Sequence, residues 1–157
     1  MERLWAPWRS KYITSKKTNE CIFCKAWREK KDEENYILLR GKYSLVMLNA
    51  FPYNNGHLMV APCKHTASLK DLKKEEQEEM MAFVIQMLNL LKKVLNPEGF
   101  NLGMNLGKIA GAGVADHLHL HIVPRWRGDN NFMPVVANTR VMPEALRETY
   151  RKLKEKI

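Results

Sequence analysis

The clearest periodic signal in the chain runs from about residue 74 to 95, where Met80, Val84, Met87, Leu88, Leu91, Val94 and Leu95 recur at steps of three and four. That spacing draws one apolar stripe down a helix and leaves the remaining positions to solvent. Glu75, Glu76, Glu78 and Glu79 crowd its start and Lys92 and Lys93 its end, charges that suit the helix dipole at both termini. Asn96-Pro97 stops it, because proline cannot continue the hydrogen-bond ladder.

Shorter apolar runs predict strands. Residues 36–40 and 43–48 flank Gly41-Lys42, a two-residue hairpin signal. Residues 58–61, closed by Pro62, predict a third strand, 99–106 a fourth and 118–124 a fifth. A short helix is expected within 21–31 and a last one over 143–156, inside a C-terminal segment 141–157. Residues 1–20 carry Trp5, Pro7, Trp8 and Tyr12 among basic residues without a period, and read as an arm packed by its aromatics. Strands grouped on either side of one long helix, with no βαβ alternation, predict an α+β fold. Its expected content is an antiparallel sheet of about five strands, one long helix and a C-terminal helix. A chain of 157 residues suffices for one domain with its own core.

Charge and composition narrow the partners. The formal charge is +9, with 26 Lys and Arg against 17 Asp and Glu. Such a surplus favours phosphorylated small molecules or nucleic acid, or else is a Lys/Glu-rich surface of the kind found in heat-adapted proteins. No Arg-rich run interleaves with aromatics, so nucleic acid is not expected. No apolar run approaches the roughly 18 residues that would span a bilayer, and the opening residues lack a signal-peptide layout. A membrane partner is therefore not expected, and the cytoplasm is the expected location. The odd count of three cysteines speaks against a disulfide framework.

The chemistry concentrates between residues 107 and 122. His117, His119 and His121 alternate with Leu118, Leu120 and Ile122. Side chains of a strand alternate in direction, so the histidines share one face and the apolar residues anchor the other against the helix. Two readings compete. All three histidines could bind one metal, but three same-face positions span about 13 Å at strand rise, which strains a tetrahedral site. Alternatively the middle residue, His119, is a nucleophile flanked by helpers, which fits the geometry better. Just upstream, Gly107, Gly111 and Gly113 allow backbone N–H groups to approach an anion, as a phosphate nest requires. That nest is expected beside the histidine face.

Cys21 and Cys24 form a C-x-x-C pair, whose common meanings are redox and zinc. Redox pairs usually open a helix in a βαβ setting, which is absent here. A closed zinc site needs two further ligands, and His65 and His117 are the candidates, with Cys63 a competitor. Cys21, Cys24, His65 and His117 would form a structural zinc site with no open position, tying the N-terminal segment to the histidine strand.

The run from His117 to Val123 resembles the His-x-His-x-His-x-x signature of the histidine triad superfamily. The likeness extends through Cys21-Ile-Phe-Cys24, Leu48-Asn49, Gly56-His57, Pro62-x-x-His65, Asn101-x-Gly-x-Asn105 and Pro124-Arg125-Trp126. The opening Leu4-Trp5-x-Pro7-Trp8-Arg9 and the segment 51–57 are most similar to bacterial members of the diadenosine tetraphosphate phosphorylase branch. The resemblance implies that His119 attacks the α-phosphorus of a nucleotide, adenine being the expected base, to give a nucleotidyl-histidine intermediate. Water or phosphate then takes the nucleotidyl group. It also implies that His121 bonds the leaving-group or phosphate oxygens, that Asn49 contacts ribose and that Asn105 contacts phosphate. Members usually form homodimers. The nucleophile needs one ring nitrogen free and the other N–H held, most simply by a backbone carbonyl. Two other classes stay open: a zinc-stabilised nucleotide-binding module without turnover, and a purine nucleoside phosphoramidase. His57 reads as structural, and Arg125 and Trp126 as packing at the rim.

Overall fold

A computed structural model describes residues 20–129 and 141–157. The arm expected over 1–20 thus lies almost wholly outside the described residues. The elements run α1 (Ile22–Glu29), β1 (Ile37–Arg40), β2 (Ser44–Leu48), β3 (Leu58–Pro62), α2 (Lys74–Leu95), β4 (Gly99–Gly103), β5 (Leu120–Arg125) and α3 (Leu146–Lys154). The five strands form one sheet in the order β1-β2-β3-β5-β4, antiparallel throughout. This is the α+β arrangement expected from the strand and helix pattern.

Both faces of the sheet are covered. On one, Leu38, Val46, Leu48, Leu58, Val60, Leu120 and Ile122 pack against Met80, Val84, Met87 and Leu91 of α2 and Leu153 of α3. On the other, Ile37, Leu45, Met47, Met59 and Ala61 pack against Phe23 and Ala26 of α1. Burial on both sides explains why β2 and β3 read as continuous apolar runs rather than alternating ones. The stripe read along α2 meets the sheet as expected, and the helix ends at Asn96 in the left-handed conformation (φ 47°) before Pro97.

Side chains from elsewhere finish the element ends. Arg40 donates to the carbonyls of Ala26 (2.7 Å) and Trp27 (3.2 Å) and to Asp32 (2.8 Å), fixing the C-terminal end of α1 to the sheet. Tyr150 Oη and Lys154 Nζ of α3 donate to the carbonyls of Ile37 and Leu38, at 3.1 and 2.8 Å. The β1–β2 connection has three residues rather than the expected two, because Glu79 of α2 reaches up to it. Its carboxylate accepts the Lys42 and Tyr43 N–H groups at 2.8 and 2.7 Å. A Cβ at Gly41 would stand 2.6 Å from that carboxylate, so glycine permits the approach.

Other boundaries also differ from expectation. β5 begins at Leu120, not Leu118, so His117 and His119 precede the ladder. The Leu118 N–H instead donates to the Thr66 carbonyl at 2.7 Å, which pins this stretch to the loop after β3. β4 ends at Gly103, opposite His121, because β5 offers it little ladder beyond that point. Finally, α3 begins at Leu146, three residues later than expected.

Candidate active site and metal centre

The histidine run crosses the boundary between a loop and β5. Leu118, Leu120 and Ile122 enter the helix-side core, which turns His117, His119 and His121 to the opposite face. There the Phe23 ring of α1 lies 5.0 Å from both the His117 and His119 rings. The alternation read from the sequence therefore holds, although only His121 belongs to the ladder. Val114, at the end of the glycine-rich segment, packs into the same Phe23 cluster and brings that segment beside the histidine face.

Hydrogen bonds fix which nitrogen of each ring carries the proton. His119 Nδ1 lies 2.8 Å from the carbonyl oxygen of His117. A carbonyl only accepts, so Nδ1 carries the proton and Nε2 keeps its lone pair. The Tyr53 N–H donates to His57 Nδ1 at 3.0 Å. His57 Nε2 then carries the ring proton and donates to His121 Nδ1 at 2.9 Å. His121 in turn holds its proton on Nε2, a buried atom without a hydrogen-bond partner among the described residues. The His119 and His121 rings meet edge to face, with centroids 4.8 Å apart. One face thus presents a nitrogen lone pair beside an unused N–H donor.

Burial keeps this relay neutral. It pushes the His57 imidazole down to about 3, helped by the neighbouring His121 and His119. His121 falls to about 4, by burial first and then by His119. Tyr53 covers the pair, its ring centroid 4.5 Å from His57 and 5.6 Å from His121.

At the other end of the run, Cys21, Cys24, His65 and His117 converge, each with one ligand atom within 4.8 Å of all the others. Cys21 Sγ lies 3.2 Å and Cys24 Sγ 3.6 Å from His117 Nδ1, and His65 Nδ1 lies 3.3 Å from Cys24 Sγ and 3.1 Å from His117 Nδ1. Four ligands at ordinary Zn–S and Zn–N lengths leave edges of about 3.3–3.8 Å, so the cluster already has nearly the size of a tetrahedral shell. His117 Nε2 donates to the Pro62 carbonyl at 2.8 Å, which turns its Nδ1 lone pair to the sulfurs. Burial also drives His117 toward its neutral, ligand form. Burial and the adjacent Cys21 thiol push the Cys24 thiol up in the metal-free arrangement. Cys63 stays outside the cluster as a half-buried thiol raised by burial to about 12.

The remaining candidates sit on other segments of the chain. Asn49 is half-buried at the end of β2, its Oδ1 accepting the Phe51 N–H at 2.9 Å. Asn105 is half-buried just after β4, while Gly111 (φ 88°) and Gly113 are exposed, with open space where a Cβ would stand. Arg125 is more than rim packing: it clamps Asp129 through Nε and a terminal nitrogen at 2.6 and 2.9 Å.

A HIT domain family model matches residues 30–128. The chain belongs to the HIT domain family. It is 40% identical over 161 aligned residues, 98% of this chain and 83% of the relative, to an AP-4-A phosphorylase of Mycobacterium tuberculosis. It is 34% identical over 105 residues, 67% of this chain and 74% of that one, to an adenosine 5'-monophosphoramidase of Schizosaccharomyces pombe. Among solved structures, a zinc-bound histidine triad family protein from Mycobacterium smegmatis matches with a TM-score of 0.69 at 28% identity, over 87% of this chain and 91% of that one.

Two residues of this HIT domain were undervalued by sequence reasoning. His57 stood alone after Gly56 and read as structural, yet it sets the tautomer of His121. Phe23 lay unnoticed inside the C-x-x-C pair, although its ring touches both His117 and His119. Neither carries a spacing signal. The pairing of β3 with β5, which sets Met59 opposite His121, brings His57 within reach.

Proposed function

We propose that this HIT domain transfers a nucleotidyl group from a dinucleoside polyphosphate, with an adenine nucleotide as substrate, through a covalent intermediate on His119. The observation that carries this reading is the fixed pair of tautomers: a lone pair on His119 Nε2 beside an N–H on His121 Nε2. The Nε2–P bond forms as the α-phosphorus loses its bond to the leaving polyphosphate oxygen, which departs with the electron pair. His121 Nε2–H bonds that oxygen. In the second half, an oxygen of inorganic phosphate attacks the same phosphorus and releases His119. Splitting one displacement into two lowers each barrier. Asn49 contacts the ribose, and Asn105, Gly111 and Gly113 hold phosphate oxygens.

The donor set of Cys21, Cys24, His65 and His117 fits zinc, which would crosslink α1 to the histidine run and leave no coordination position for substrate. His119 stays off the metal, so both readings of the histidine run apply to different residues. β4 ends the sheet order and exposes Leu102, which supports a homodimer joined along that edge.

The test is turnover of diadenosine tetraphosphate with and without inorganic phosphate. Phosphate-dependent formation of ADP and ATP supports the reading; AMP and ATP would replace phosphorolysis by hydrolysis. The second reading, favoured by the 34%-identical fission-yeast relative, is hydrolysis of an adenosine phosphoramidate. Faster turnover of that substrate than of the tetraphosphate would select it.

A further inference from the structure

The relay from Tyr53 through His57 to His121 depends on the geometry of one turn, and that turn is held from outside the site. Asn54, 7% exposed, sits inside it. Its backbone carbonyl accepts the His57 N–H at 3.2 Å, while the Tyr53 N–H beside it supplies the His57 Nδ1 bond. Both protons of the Asn54 amide are engaged, one by the Pro124 carbonyl at 3.0 Å and one by Asp129 Oδ2 at 2.8 Å. Asp129 is itself fixed: Arg125 grips both its oxygens, and the Trp126 N–H donates to Oδ2 at 3.2 Å. Arg125 continues to Asn101 Oδ1 of β4 at 2.7 Å. Among the described residues every group facing this carboxylate is a donor, so an acceptor-only side chain suits the position.

We propose that Asp129 and Asn54 are positioning residues of the active site, which hold the turn at 53–57 so that His57 fixes the proton of His121 on Nε2. The proposal rests on the reading of His121 as the donor to the leaving oxygen. Neither residue touches the reacting atoms. Releasing Asn54 lets the Tyr53 N–H leave His57 Nδ1, and both imidazoles then exchange between tautomers. The molecules in the other tautomer then present a lone pair where the departing oxygen needs a proton donor, and kcat falls in proportion to their share.

The experiment is 15N NMR of histidine-labelled full-length protein near neutral pH, paired with steady-state kinetics on diadenosine tetraphosphate. In the unsubstituted protein His57 and His121 should show the Nε2–H tautomer alone. Asp129→Ala should give mixed tautomers at both, with kcat down about tenfold and KM changed by less than about threefold. Asn54→Ser, which spares the Arg125–Asp129 pair, should do the same and serves if the first variant fails to fold. Folded variants that keep both histidines in the Nε2–H form would overturn the proposal. If the unsubstituted protein shows the tautomers but transfers no nucleotide, the functional reading fails while the NMR comparison still decides the role of Asp129 and Asn54.

Discussion

His57 and His121 give the site its sharpest dependence on pH. Both are buried as neutral rings, at about 3 and about 4, against 6.5 for a free imidazole. Between those values the unfolded chain binds protons that the folded chain refuses, so stability is fully present above 6.5 and declines as pH falls toward 4. Urea titrations should therefore give a lower midpoint at about pH 5 than at about pH 7.5, and His57→Gln should flatten the difference. An unchanged slope in that variant would contradict the assignment. At the same scale, the sequence showed three histidines on one face but not their proton positions. Those depend on the His117 carbonyl and the Tyr53 N–H, backbone groups whose direction no local pattern encodes. The His57–His121 bond joins residues 64 positions apart.

At the scale of elements, the long helix was legible to the residue because its stripe, its end charges and Asn96-Pro97 agree. β2 and β3 were legible as runs, since burial on both faces makes them almost wholly apolar, but the strand ends were not. The Thr66 carbonyl takes the Leu118 N–H out of the ladder, and Glu79 reshapes the first hairpin from a distant helix. Glu79→Ala should remove the acceptor of two backbone donors and cost about 1–3 kcal/mol, read from denaturant unfolding. A loss within experimental error would mean that water replaces the carboxylate there. Arg40→Ala should loosen α1 from the sheet and, through Cys21 and Cys24, weaken metal affinity without altering the other two ligands.

For the whole molecule, the Cys21, Cys24, His65 and His117 cluster joins three regions: α1, the loop after β3 and the approach to β5. Bound zinc would act as a crosslink among them, so chelation should lower the melting temperature, with activity lost only as the domain unfolds. Loss of activity in a protein that remains folded would instead indicate a catalytic metal. Because a cysteine binds zinc as its thiolate and the Cys24 thiol is raised without an ion, zinc binding near neutral pH should expel protons, measurable by calorimetry in buffers of different ionisation enthalpy. The convergence of these four side chains was legible from C-x-x-C together with His65 and His117. Its closeness to the His119 site was implied only by His117 belonging to both groups. If β4 edges pair in solution, scattering should return twice the chain mass.

During turnover His119 should become covalently nucleotidylated. This is tested most directly by mixing the protein with diadenosine tetraphosphate in the absence of phosphate, denaturing it within the first turnover and mapping the modified peptide by mass spectrometry. One added AMP is expected on His119, and none in His119→Ala. AMP on another residue, or turnover at the full rate by His119→Ala, would contradict it.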